Sequence, residues 1–587
     1  MSGRIFIGDF EVFKYDTMLC LIDCYAGEYI DIVNDQAKMK AFYRQHKDDI
    51  IVFYNGRRYD KWIYKAWVLG YSQAELFKLS QALVFEHVEG WSYDSKFNNI
   101  QLYDFDVAKI SDGGLKSLEA FMGEDIVETS VDFDIDRPLT DDELRMTLNY
   151  CHSDIDNTFR VFMERKNDFS AQMDLITAFD LPLSYISKTQ AQTVSRVLEC
   201  EYQTHNDQFD VIFVDTLRLG KYEYIKDWFI EQLAKSKEQG DYTKETLKTN
   251  VAGLEHFYRW GGVHAAIQKY HCVAKKKGVL IIHCDVQSFY PSLAIKYGFT
   301  SRNSKTPHKY KEIYDKRIAL KKAGKKKEQQ PLKICLNSAY GVTKDSNSKS
   351  FDARQANCIC INGMLALTDL LDKLEVIPGF QCDQSNTDGI IIEIPDTDEA
   401  FDQLDDICYA WEQRLGIVLE FENILQLNQG NVNNYCAVFD NGKLERKGAY
   451  LQESSPLKNN LTIVNTAMVE RLVHGTPVEK TINDCDDLSQ FMQVAKLSSK
   501  YDHGYHNGER LKDRTYRVYA SLDTSNDSVY KQKGNDGTHE KFASLPDHCV
   551  IYNHCLDGVT PNDIGLDKQF YIDLAKKRLN ESFGVED

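Results

Sequence analysis

The sequence predicts a multidomain protein of mixed α/β and α+β architecture, and three observations lead there. At 587 residues the chain is long enough for roughly three to five domains of about 100–200 residues each. Its first 165 residues alternate strand-like and helix-like segments. After a mostly helical stretch from 166 to about 260, a second and differently ordered set of strands and helices begins at Gly278. Gly and Pro are sparse, at 33 and 11, and no repeat of about 20–50 residues is present, so these are packed domains rather than beads on flexible linkers.

In the first part, "GRIFIGDFEVF" and "DIIVFYNG" read as strands and "YDKWIYKAWVLG" as a helix. A further helix starts at "LTDDEL", where Thr140 and Glu143 have capping-box spacing. Strand alternation puts Ile5, Ile7, Asp9 and Glu11 on one face. Two acids on the core side of an apolar strand are costly unless they bind something. "FYNGRRYDKW" adds Asn55 and Asp60, with Asp60 entering a helix, and "YCHSDIDNTF" stacks Tyr150 and Asp154 at i and i+4.

In the second part, the strand "GVLIIHCD" ends at Asp285, and Pro291 is placed to open a helix. Between Arg302 and Lys333 basic residues outnumber acidic ones twelve to three. An N-S-x-Y-G turn is read after this helical stretch; on a continuing helix Lys333 and Asn337 would share a face, with Tyr340 one turn further. Then come the helical "ARQANCICINGMLALTDLLDKL" and the hairpin "QSNTDGIIIEI". The hairpin tip carries Asn386, Asp388 and Gly389, and its Asp-Gly pair suits a tight turn with positive φ. Beyond about residue 450 mixed strands and turns lead to a final amphipathic helix, "DKQFYIDLAKKRLNESF".

A net charge of −19 argues against a protein that holds a polyanion, but the basic stretch concentrates positive charge locally. No apolar run approaches the roughly 18 residues of a membrane span. "MSGRIFIGDFEVF" has no pattern of a secretory leader, so a cytoplasmic location is expected. Fifteen cysteines without CxxC spacing read as reduced, packed thiols.

Three segments in order carry a resemblance. "DVQSFYPS" resembles the first polymerase motif of family B DNA polymerases, D-x-x-S-L-Y-P-S; "KICLNSAYG" is similar to the second, and "SNTDG" to the third, G-D-T-D-S. Upstream, the D-x-E of Asp9 and Glu11, the N-x-x-x-Y-D from Asn55 to Asp60 and the Y-x-x-x-D from Tyr150 to Asp154 resemble the three exonuclease motifs of the DEDD proofreading fold. The resemblance covers residues 9 to about 450.

It implies a ribonuclease-H-like 3′–5′ exonuclease domain over 1–165, followed by a right-hand polymerase. Its parts would be a helical connector and start of palm (166–260), palm (261–305), fingers (306–341), palm (342–450), and thumb with C-terminal region (451–587). The implied function is template-directed addition of deoxyribonucleotides to a primer 3′ end by two-metal phosphoryl transfer, with proofreading, in phage or plasmid genome replication. Each active site would take two divalent ions, Mg²⁺ or Mn²⁺. The polymerase ions would be held by Asp285, Asp388 and the backbone carbonyl of Val286, with Asn386 standing where the family has its first Asp; the exonuclease ions by Asp9, Glu11, Asp60 and Asp154, with Tyr150 orienting the attacking water.

The resemblance further implies that Lys333, Arg317 and Lys321 hold the triphosphate and that Tyr290 lies beneath the sugar. Asn337, Tyr340 and Gly341 would face the nascent base pair. Asn55, Gly341, Tyr435, Gly261, Gly262 and Lys447 would meet DNA, and Lys116 is either a phosphate contact or a solvated lysine. Departures from the family pattern are Asn386, Gly389 in place of Ser, Asn433 in place of Lys in "VNNYCAV", and one residue too many before Gly261 in "YRWGGVHAAI". A start at the exonuclease strand is expected of the compact phage-type branch, and room between Pro291 and Lys333 for only two fingers helices of about 20 residues leaves no place for the insertion that grips a terminal protein in protein-primed relatives. Expected partners are primer–template DNA, deoxyribonucleoside triphosphates and phage replication accessory proteins, and no membrane. Two alternatives stay open: a 3′–5′ exonuclease with an impaired polymerase half, and a non-catalytic nucleic-acid-binding protein.

Overall fold

A computed structural model describes residues 3–128, 131–534 and 537–586; the first two residues of "MSGRIFIGDFEVF", Met1 and Ser2, lie outside the described residues. The fold is mixed α/β with several sheets. The chain divides into two compact units, each assembled from three stretches. The first unit holds the stretch ending at Lys188 with Ser454–Ile463 and Asn483–Tyr571; the second holds Thr189–Glu453, Val464–Ile482 and the stretch from Ile572.

The first unit is built on β1 (Ile5–Val12), β2 (Thr17–Asp23), β3 (Tyr29–Val33), β4 (Ile50–Phe53) and β5 (Tyr103–Asp106), in the order β3-β2-β1-β4-β5. β1, β2 and β3 pair antiparallel, whereas β1, β4 and β5 are parallel. Both faces are buried, which is why β1 is apolar almost throughout. Phe6, Phe10 and Val12 join a core with the helices Gln36–His46, Asp60–Leu69 and Gln73–Val84. Ile7 and Val52 pack on the other face against Cys151 and Ile155 of the helix Asp141–Glu164. That helix starts at the expected capping box, with Thr140 and Glu143 bonded reciprocally. In the Asn483–Tyr571 stretch, Arg517 is fully buried. Its guanidinium donates to the carbonyls of Ala120 (2.9 Å), Glu124 (2.7 Å) and His554 (2.7 Å).

The second unit centres on a ten-stranded sheet. Its strands are β6 (Leu247–Val251), β7 (Leu254–Arg259), β8 (Gly262–Ala266), β9 (Tyr270–Val273), β10 (Val279–Val286), β11 (Gln381–Ser385), β12 (Gly389–Pro395), β13 (Leu419–Asn431), β14 (Asn434–Phe439) and β15 (Leu444–Lys447). The order is β15-β14-β13-β10-β12-β11-β8-β7-β6, with β9 paired to β13. The helix Ala353–Leu374 is buried on nearly every side, as its all-round apolar sequence requires.

Two expectations are corrected. The stretch from 166 to about 260 is helical only in part, at Lys166–Ala178, Gln190–Val197 and Glu223–Gln239, and it ends in the β6–β7 hairpin. "LKTNV" is too polar to announce a strand, and the hairpin turns through Ala252 and Gly253, both at positive φ, without an Asn-Gly signal. The N-S-x-Y-G segment is not a turn. It lies inside the continuous helix Lys326–Lys344, which follows the helix His308–Lys322; Gly341 there is exposed and needs no special conformation. Among the described residues no helix is long and apolar enough to cross a membrane.

Candidate active sites

In the first unit four carboxylates converge. Asp9 and Glu11 come from one face of β1, Asp154 from the helix Asp141–Glu164, and Asp60 from the first position of the helix Asp60–Leu69. The Phe10 N–H donates to Asp60 Oδ1 (3.2 Å), fixing that helix start against β1. Burial first, and then the field of Asp154, pushes the Asp9 carboxyl up to about 7. Burial followed by Asp9 likewise raises Glu11 and Asp60, and burial raises Asp154 against the pull of Lys116. Burial, then Asp154, Glu11 and Asp9 raise the Tyr150 phenol far above its usual value, so it stays a hydrogen-bond donor.

Lys116 is not a solvated lysine. Its ammonium pairs with Asp154 and with Glu119 (3.0 Å) and lies 4.6 Å from the centre of the Tyr150 ring. The Cys151 thiol donates to the carbonyl and the carboxylate of Asp9, both at 3.7 Å. The ligand atoms of Asp9, Glu11 and Cys151 lie within 4.8 Å of one another. Crowded oxygen donors, raised in pKa by burial first and, for Asp9, Glu11 and Asp60, by neighbouring carboxylates second, with one ammonium among them, fit hard divalent cations. Asn55, exposed and at φ 66°, stands on the turn after β4, with its N–H on Asp106 Oδ1 (2.9 Å).

In the second unit β10 lies between β12 and β13, so the register sets Asp285 opposite Gly389 on one side and Glu420 on the other. Burial, then Asp388, pushes the half-buried Asp285 carboxyl up to about 6, while the nearby His283 lowers it and Glu420 raises it. Asp388 is exposed, and its carbonyl accepts from the Val286 N–H (3.2 Å). These oxygens also fit a hard dication. Sequence reasoning missed Glu420, because only long-range pairing brings "VLEFEN" beside Asp285.

Gly389 is glycine for a reason other than positive φ, which it does not have. A Cβ there would lie 2.9 Å from the Cys284 carbonyl oxygen and 3.3 Å from Asp285 Cα, so glycine permits the close approach of β12 to β10. Asn386 locks the turn: its N–H donates to the Gly389 carbonyl (2.9 Å) and its Oδ1 accepts from the Thr387 N–H (2.8 Å). Gly262 abuts the same turn, where a Cβ would meet Thr387 Oγ1 at 2.9 Å, and Gly261 is exposed beside it.

Lys333, Asn337 and Gly341 are exposed along one face of the helix Lys326–Lys344. Half-buried Tyr340 packs on Tyr290, ring centres 4.3 Å apart. Arg317 is buried, its guanidinium donating to Ser288 Oγ and to Gln329 Oε1 (3.4 Å), so it braces the turn after Asp285 instead of presenting a charge to solvent. Lys321 pairs with Glu420 (2.7 Å), whose carboxylate also accepts from Gln287. Tyr435 is buried with its hydroxyl donating to Glu445 (2.8 Å), opposite exposed Lys447 on β15. Asn433 is exposed, with its backbone N–H on Asn431 Oδ1 (2.9 Å).

No family model matches the chain, and no curated protein matches it. Among solved structures it is similar to that described as the family B DNA polymerase from the hyperthermophilic archaeon Pyrobaculum calidifontis, at 13% identity and a TM-score of 0.43, covering 100% of this chain and 79% of that one.

Proposed function

We propose that this protein is a template-directed DNA polymerase of the family B type with a 3′–5′ proofreading exonuclease, serving phage or plasmid replication. The observation that carries the reading is the pair of separate carboxylate sites, one in each unit, each assembled from the motifs that resemble one activity. Asp285, Asp388 and the Val286 carbonyl would hold the ions for extension, and Asp9, Glu11, Asp60 and Asp154 those for degradation. When bound, such ions lower the pKa of the attacking hydroxyl or water and neutralise phosphate charge.

The chain's own residues do the rest. Lys333, on the exposed face it shares with Asn337 and Gly341, offers its ammonium to a triphosphate. Tyr290 and Tyr340, packed with ring centres 4.3 Å apart and planes tilted by 42°, would fill the volume beneath the sugar that a 2′ oxygen needs. Tyr150, kept protonated by burial and then by the acids around it, would donate a hydrogen bond to the attacking water. Arg317 holds the Ser288 turn in place, and Glu420 keeps Lys321 at the rim. One observation favours an exonuclease with a weakened polymerase half: Asn386, in a position of expected charge, has committed its oxygen to the Thr387 N–H.

Primer extension and primer degradation with Mg²⁺ test both readings. Asp388→Ala is expected to cut extension on the order of 10³-fold, about 4 kcal/mol of lost transition-state stabilisation, and to leave degradation intact. Asp9→Ala with Glu11→Ala should do the reverse. Degradation without extension in the unaltered protein would favour the second reading, and absence of both activities would overturn the two.

A further inference from the structure

We infer that Cys20, Asp31 and His152 form a binding site for a zinc-type transition-metal ion, separate from the carboxylate cluster beside it. Asp9 pairs with Cys20 across β1 and β2, and Cys20 pairs with Asp31 across β2 and β3. The three side chains therefore form one cross-strand row on the sheet face that the helix Asp141–Glu164 covers. Two consecutive helix residues stand over that row. Cys151 serves the Asp9 end, where its thiol bonds Asp9, and His152 serves the other end, with its Nε2 2.7 Å from Asp31 Oδ1. Cys20, between them, is fully buried.

One ligand atom each from Cys20, Asp31 and His152 lies within 4.8 Å of the other two. Zinc-ligand bonds of about 2.0–2.3 Å in tetrahedral array put ligand atoms roughly 3.3–3.7 Å apart, so opening the His152–Asp31 hydrogen bond by less than about 1 Å makes room for the ion. The donor set is one sulfur, one nitrogen and one carboxylate oxygen. Thiolate and imidazole select zinc-like ions, whereas Mg²⁺ prefers oxygen alone.

The imidazole is also held for the purpose. The Tyr29 ring stacks on its face at 4.2 Å and 18°, and the Tyr29 hydroxyl is anchored on Asp156 Oδ1 (2.5 Å). Face stacking keeps the ring edge clear, so that a metal can take the place of the proton now shared between His152 Nε2 and Asp31. The side chains of His152 and Asp31 keep 26% and 32% of their exposure. Solvent therefore reaches the outer side, which leaves a fourth position for water, as in three-ligand zinc sites. A bound ion would clamp the helix bearing Tyr150 and Asp154 to β2 and β3.

The test is a Co²⁺ titration of the full chain, stripped with chelator, in the presence of excess Mg²⁺. A thiolate-to-cobalt charge-transfer band should saturate at one equivalent and be bleached by Zn²⁺. Cys20→Ser should abolish the band. Asp31→Asn and His152→Gln, both at partly exposed positions, should each weaken binding at least about tenfold with unchanged circular dichroism, so that the result does not depend on how Cys20→Ser folds. Asp9→Asn with Glu11→Gln should keep the band. No band at one equivalent, a band surviving Cys20→Ser, or a band lost only with the acid-cluster substitutions would overturn the inference.

Discussion

Gly389 shows how one missing methyl group sets the geometry of a site. Because a Cβ would meet the Cys284 carbonyl oxygen at 2.9 Å, restoring the serine usual in the resembling motif should harm this chain. Gly389→Ser is expected to cost about 1–3 kcal/mol through overpacking, read as a lower urea midpoint at unchanged slope. Asn386 invites the opposite substitution. Its Oδ1 already accepts from Thr387, and a carboxylate can keep that bond while adding a second oxygen and a charge. Asn386→Asp should shift the Mg²⁺ dependence of extension to lower concentration, while Asn386→Gly loses the local bond and lowers stability. Coincident Mg²⁺ midpoints for the three proteins would remove Asn386 from the metal site.

At the scale of elements, β1 and the helix Asp141–Glu164 press their acids together, and pH should register it. Asp9, Glu11, Asp60 and Asp154 all have raised pKa values in the fold, so the folded state binds protons that the unfolded chain has released. The stability they contribute is full below the usual carboxylate value near 4 and is lost as pH rises through about 7 for Asp9. Metal-free protein should therefore melt lower at pH 8 than at pH 5, and Mg²⁺ should raise the melting temperature more at pH 8; equal melting at both pH values would contradict the crowding. These elements were legible in the sequence, because a capping box, an i, i+4 pair and strand alternation are local signals. The β6–β7 hairpin and Glu420 were not, since polar edge strands carry weak periodicity and strand neighbours are chosen by distant chain. Nor does a count of charges say which face each lies on: the basic run holds exposed Lys333 and buried Arg317 alike.

At the scale of the whole molecule, neither unit is a continuous piece of chain. The segment 119–128 depends on residues far downstream: Arg517 bonds the carbonyls of Ala120 and Glu124, Ile126 N–H donates to Asn553, and Glu128 accepts from Arg514 and Thr515. A fragment ending at Lys188 should accordingly be cut within 119–128 at least about tenfold faster than the full chain in limited proteolysis, since local opening there loses its opposing bonds. Equal rates would mean that the fragment closes on its own. The sequence motifs gave no sign of this return, because the stretch beyond 483 carries none of them. The interleaving also sets a timetable. During synthesis at about 5–20 residues per second, the first unit waits on the order of 20–80 s between the emergence of Lys188 and that of Tyr571, with four carboxylates gathered early and their cover still unmade. The second unit takes in the stretch from Ile572, so it too waits on chain made after Tyr571. A ribosome that stops before Tyr571 therefore releases both units unfinished, the first with its carboxylates in place and its cover missing.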